Sequence, residues 1–196
     1  MATLEWPAGL RPATLNWDLK SNGTVFQSPF NGATQTIRFP GSAWVAEMTF
    51  VSLDDYEARE LEAIIFQLDG YAGRVKLRDY GRIPPAVRGA PVVNGAGQSG
   101  MALSSRGWTP SVKVLSRGDY ITVNDELKFV TADVTSSTDG RAVIPIAPMI
   151  RQSPANGASI EVANPYGVFR VSNDQNGVQR KPAFDNGFTL NLIEAF

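Results

Sequence analysis

The side chains here that could do acid–base or metal chemistry are carboxylates, and two sets lie close in sequence: Asp54 with Asp55, and Asp133 with Asp139. Two carboxylates facing each other across a cleft can divide general acid and base work, as in glycoside hydrolysis, and a larger oxygen set can hold a hard cation. Neither set has the spacing for such work. Asp54 and Asp55, with Glu57, open a stretch of helical periodicity, where negative charge offsets the positive end of the helix dipole. Asp133 and Asp139 bracket Val134-Thr135-Ser136-Ser137-Thr138 ahead of Gly140, which is turn composition, and no EF-type spacing is present. Histidine and cysteine are both absent from the 196 residues. Their absence removes the commonest general base near neutral pH, the thiol nucleophile and nearly all zinc, copper and iron ligand sets. No phosphate-cradling glycine motif opens a helix, so Gly118-Asp119 reads as a turn. The expectation is a protein that is not an enzyme and needs no cofactor or metal.

Charge and hydropathy narrow the partners. A formal net charge of −1 gives no general attraction to nucleic acid or to an anionic membrane, and neither is expected as a partner. The segment Met1-Ala2-Thr3-Leu4-Glu5-Trp6-Pro7 has no basic and apolar leader pattern, and no apolar run approaches the roughly 20 residues of a membrane helix. A soluble chain assembled in a reducing cytoplasm is expected.

The elements that must position these residues are mainly strands. Asn-Gly at 22–23, 31–32, 94–95, 156–157, 176–177 and 186–187, and Asp-Gly at 69–70 and 139–140, tolerate the positive φ of tight turns. Between them lie short strand-like runs such as 14–19, 34–39, 44–51, 74–78, 120–123, 127–134, 142–146, 159–162, 168–171 and 188–193. One segment differs. From Leu53 to Leu68, Leu61, Ile64, Ile65 and Leu68 follow the i, i+3, i+4, i+7 spacing of a helix face, with Ser52 and Asp55 as a capping pair and Gly70 as the stop.

The proline-rich passage 81–91 does not fit inside a sheet and reads as a linker into a separate module; Gln152 to Gly157 reads as the way out. The glycine-rich run 94–100 reads as a flexible loop between modules. The fold class expected is mainly β with one amphipathic helix: a β-sandwich-like belt domain, 1–88 and 156–196, holding an inserted small β-barrel (OB-like) module, 89–155.

Two surfaces are candidates for binding. Arg74, Lys76 and Arg78 alternate with Val75 and Leu77, so the cations share one strand face, either solvated or in contact with Glu57, Glu60 and Glu62 of a neighbouring copy. Trp108 and Tyr120 are the aromatics of the inserted module that an exposed saccharide platform would use.

An order of weak motifs spans nearly the whole chain: Trp17-x-Leu19, Ser28-Pro29-Phe30-Asn31-Gly32-x-x-Gln35, Pro40-Gly41-x-x-Trp44, the helix, Val93-Asn94-Gly95-x-x-Gln98-x-Gly100, Gly118-Asp119, Pro148-x-Ile150-Arg151 and Glu194-Ala195. It resembles the distal tail proteins of long-tailed bacteriophages, or close relatives at the tail tip. The resemblance implies a structural virion protein of the baseplate region, assembled in the host cytoplasm. It implies a ring, usually a homohexamer of six copies, joining the tail tube to the tip hub or fibres, with no catalytic residues. A module contacting host saccharide is the alternative.

Overall fold

The computed structural model describes residues 3–173, 179–181 and 185–195, with side chains excluded at 179–181 and 185–186. Met1-Ala2 and the expected Asn176-Gly177 turn lie outside the described residues. The chain opens with β1 (Thr3–Glu5), β2 (Thr14–Lys20), β3 (Gly23–Gln27), β4 (Thr34–Arg38), β5 (Ala43–Leu53), helix α1 (Asp55–Leu68) and β6 (Arg74–Leu77). A second series follows: β7 (Gly89–Val93), β8 (Gly100–Trp108), β9 (Lys113–Leu115), β10 (Tyr120–Val123), β11 (Glu126–Val130), β12 (Val134–Thr135), β13 (Arg141–Ile150) and β14 (Ile160–Glu161). The chain then returns with β15 (Gly167–Val171), β16 (Gln179–Lys181) and β17 (Asp185–Glu194). Mainly β with a single helix among the described residues, and with a barrel-like module between two halves of another sheet, is therefore the observed fold class.

The first sheet runs β1-β6-β15-β17-β5-β2, with β16 alongside β17. Its central strands alternate as half-buried strands must: Trp44, Ala46, Met48 and Phe50 on β5 and Phe188, Leu190 and Leu192 on β17 point into one core. Helix α1 closes that core with Ala58, Leu61, Ile64, Ile65 and Leu68. Its cap differs from the expected pair. Ser52 is in the left-handed region at φ 53°, and the N-cap is Asp54, whose Oδ1 accepts the Glu57 N–H at 2.7 Å while Glu57 Oε2 accepts the Asp54 N–H at 3.1 Å. The reciprocal box needs a three-residue spacing from the true N-cap, and the strand before it runs longer than its apolar pattern suggests. The helix ends one residue early as well, at Asp69 with φ 47°.

The second sheet, β14-β10-β11-β13-β8-β7, is nearly closed into a barrel: Val92 bridges Ser159, and the Val93 N–H donates to the Ala158 carbonyl at 2.9 Å. Its core holds Val93, Leu103, Ile121, Val123, Ile144, Ile146, Ile160 and Val162. The module thus extends past the expected exit at 155, because the closing strand lies beyond the Asn156-Gly157 turn. The linker expected over 81–91 is also shorter, since β7 begins at Gly89. Pro91 is tolerated there because the register shifts between Gly89 and Val92 on an edge strand, where its missing N–H leaves no ladder bond broken. The loop at 94–100 is pinned rather than free: Gln98 donates to the Asn94, Gly95 and Ser104 carbonyls and accepts the Ser104 N–H at 2.6 Å.

Closure through β14 makes the boundary testable. A fragment spanning 89–163 should unfold cooperatively in urea, whereas one ending at 155 loses buried Ile160 and Val162, at about 1.5–3 kcal/mol each, and should be less stable by roughly 3 kcal/mol or more. Equal stability of the two fragments would return the boundary to 155.

Candidate functional site: module junction and assembly surface

Tyr120 and Leu127, from the barrel, belong to the core of the first sheet. Around them the chain buries four charges. Arg151 donates from both terminal nitrogens to Glu194, at 2.7 Å each, a bidentate pair between the end of β13 and the end of β17. Glu194 also accepts the Trp44 N–H at 3.2 Å and the Leu127 N–H at 3.3 Å, so one carboxylate touches backbone of both modules. Lys128 is fully buried and meets Glu126 at 2.5 Å, and its ammonium donates to the Met149 carbonyl at 2.9 Å. Glu126 in turn accepts the backbone N–H groups of Arg151 and Gln152. Burial pushes the Lys128 pKa below its ordinary value, and the Glu126 carboxylate pulls it back up. Two positive and two negative groups with their lone pairs engaged balance a desolvation cost that would exclude any one of them alone. Four separate acidic and basic letters in the sequence gave no signal of this cluster.

The sequence-derived aromatic candidates are inside. Trp108 packs in the barrel core and its Nε1 donates to Ser105 Oγ at 2.8 Å. Tyr120 meets Trp44 and Phe129 edge to face, with centroids 5.6 and 5.4 Å away. Neither ring is free to stack on a sugar, a correction that follows from large amphipathic rings being worth more in a core with a partner for their polar atom. Burial raises the pKa values of Tyr80 and Tyr120 to about 12, with Asp79 adding to the rise at Tyr120.

Val75 and Leu77 do face the core, and Arg74 and Lys76 lie on the other face of β6, while Arg78 falls one residue past the end of the strand. Partners within the chain already engage these cations. Lys76 pairs with Glu5 of β1 at 2.6 Å and lies 4.7 Å over the Tyr166 ring, Arg78 lies 5.2 Å over Tyr80, and Arg74 donates to the Tyr71, Ala72 and Gly73 carbonyls. Lys76 and Arg78 line a cleft of about 520 Å³ between the two modules, rather than an open strip. Of their proposed partners, Glu57 is committed to the helix cap, while Glu60 and Glu62 are half-buried on α1.

The carboxylate sets have structural partners too. Asp55 pairs with Arg59 at 2.8 Å, Asp133 with Lys113 at 2.8 Å and Asp139 with Arg141 at 2.9 Å. Hydrogen bonds from Lys113 and from Ser137 hold Asp133 and Asp139 below the usual carboxylate range. Among the described residues no group of three or more acidic side chains is arranged to hold a metal ion. Gly140, at φ 71°, sits where a Cβ would lie 2.5 Å from the Trp108 carbonyl, so the Asp139-Gly140 turn is fixed by backbone approach.

The surface that stands apart is the hairpin of β3 and β4. Every residue of both strands is exposed, and Phe30 at its tip is 97% accessible. Facing pairs Thr24–Ile37 and Phe26–Gln35 put Phe26 and Ile37 on one face, with Phe39 next in alternation. The sequence reading had β4 and the Asn31-Gly32 turn but assigned the pair no role. No family model matches the chain, and no curated protein is significantly similar to it.

Two outcomes follow from the junction. Arg151→Met leaves Glu194 and Glu126 short of a cation in a buried site and should cost about 3–5 kcal/mol in chemical denaturation; a loss under 1 kcal/mol would mean water reaches the cluster. Two shielded phenols, Tyr120 buried and Tyr80 half-buried, should make stability fall at alkaline pH. Tyr80 and Tyr120 titrate near 10 when unfolded and near 12 when folded, so the stability they contribute is full below pH 10 and is lost as pH rises toward 12. Tyr120→Phe should flatten that decline, and an unchanged slope would count against its burial.

Proposed function

We propose that this protein is a structural virion component, the subunit of a ring at the distal end of a phage tail that joins the tail tube to the tip complex or fibres. Its work is contact and the carrying of load rather than catalysis. The observation that carries the reading is the Gly23–Arg38 hairpin, exposed along the whole length of both strands, on a scaffold whose central strands alternate into packed cores. An isolated two-stranded hairpin is marginal in water, so an apolar one that projects from the fold gains its stability from a further surface. Buried charges at the module junction support the same reading, because a ring under tension needs its belt and its inserted module to move as one body. The motif order that resembles distal tail proteins supplies the rest, including the expectation of six copies, assembly in the host cytoplasm and residence at the virion tail tip.

Light scattering and native mass measurement across protein concentration test this directly. A discrete oligomer, six copies if the resemblance extends to copy number, is expected, with rings visible by electron microscopy. A chain that remains monomeric at every concentration overturns the reading.

A further inference from the structure

We infer that the β3–β4 hairpin docks on the outer face of helix α1 of a second copy of this chain, making a head-to-tail contact repeated around the assembly. This rests on the ring reading and specifies which surfaces form it. The hairpin offers Phe26, Ile37 and Phe39 on one face, at 55%, 38% and 44% accessible. The helix offers the complement. Its buried stripe leaves Tyr56, Arg59, Ala63 and Phe66 on the opposite side at i, i+3, i+7 and i+10, and Tyr56 and Phe66 are 74% and 71% accessible. Two large aromatics on the solvent side of a helix whose inner face already fills a core are a second unpartnered apolar surface.

Charge selects the pairing. Ser21 to Ile37 contains no charged residue, and the segment is bracketed by Lys20 and Arg38. Helix α1 carries Asp55, Glu57, Glu60 and Glu62 against Arg59; Asp55 pairs with Arg59 and Glu57 closes the cap, so Glu60, beside the exposed stripe, is the acid a hairpin cation would meet. A cationic hairpin base therefore meets an acidic helix, the arrangement that steers two copies into register and disfavours hairpin on hairpin or helix on helix.

The hairpin does not cover the helix of its own chain, since Phe26, Tyr56 and Phe66 all stay exposed with both elements present. It leaves the sheet where Lys20 faces Ala43, at the start of β5, while α1 begins after Leu53 at the far end of the same strand. At about 3.3 Å per residue those 11 residues put the two points of attachment roughly 30 Å apart. One chain thus carries both halves of a contact that it does not make with itself. A contact between two different patches generates rings when its rotation closes.

Sedimentation of the full chain tests the contact. Phe26→Ser with Ile37→Ser, and separately Phe66→Ser, should each weaken assembly about tenfold or more while leaving the circular dichroism and the melting profile unchanged. An equimolar mixture of the two variants, each keeping one intact surface, should stop at a 1:1 pair. Arg38→Glu and Glu60→Lys should each weaken assembly, and the two together in one chain should restore it. Because the chain has no cysteine, Thr24→Cys combined with Ala63→Cys gives a readout independent of any folding defect: oxidation should link successive subunits into a ladder. Rings that persist in the apolar variants, with no crosslink, leave the ring standing and overturn this contact. A wild-type monomer overturns the ring reading and the contact with it.

Discussion

The Glu194 carboxylate ties one module of this fold to the other through four hydrogen bonds. It lies at the end of the last strand of the first sheet, takes both terminal nitrogens of Arg151 from the end of β13, and accepts N–H groups from Trp44 and Leu127. A carboxylate buried in this way is stable only while its four contacts are made, so hydrogen-bond geometry fixes the register in which the two modules pack. Arg151 adds a bond from its guanidinium to the Ser42 carbonyl, and Trp44 Nε1 donates to the Leu127 carbonyl at 2.9 Å. Replacing the ions by apolar groups of equal volume could leave a core as stable, but one with less to fix its register.

An aromatic path reinforces the junction. Trp17 packs against Phe169 and Trp44 within the first sheet, Trp44 meets Tyr120, and Tyr120 meets Phe129 in the barrel, with successive centroids 5.3 to 6.2 Å apart. Such rings bury large areas with few rotatable bonds, so they stiffen what they join. Gly167, at the start of β15, allows the approach: a Cβ there would lie 2.9 Å from the Phe169 ring and 3.2 Å from Leu127. Ionic cluster and aromatic path together make the inserted barrel and the first sheet one mechanical unit.

Against that rigidity the exposed hairpin is the exception. The same chain that engages its buried charges and most of its large aromatics leaves Phe26, Phe30, Tyr56 and Phe66 in water. Scattered exposed apolar residues are ordinary in any protein. A hairpin whose only charge is Arg38 at its base and an exposed helix stripe are not scattered, and they give the proposed ring two chemically matched surfaces on one subunit.

The sequence by itself determined the elements with strong local signals. Leu61, Ile64, Ile65 and Leu68 placed the helix because a 3.6-residue period has one reading; alternation placed β17 and the buried side of β6; and turn dipeptides placed Asn31-Gly32 and Asp139-Gly140. Local signals failed where partners decide. Strands β1, β3, β7, β8 and β9 are short or polar and owe their state to the ladder they join. The Asn124-Asp125 turn, with both residues left-handed at φ 52° and 60°, gave a weaker cue than Asn-Gly. Only the tertiary structure decided the site. A lone Lys128 or Glu194 reads as surface, and Trp108 and Tyr120 read as available rings, because the cost of burying a charge or a ring's polar atom depends on partners as far away as residues 44 and 194. Those distances exist only once the strands are paired.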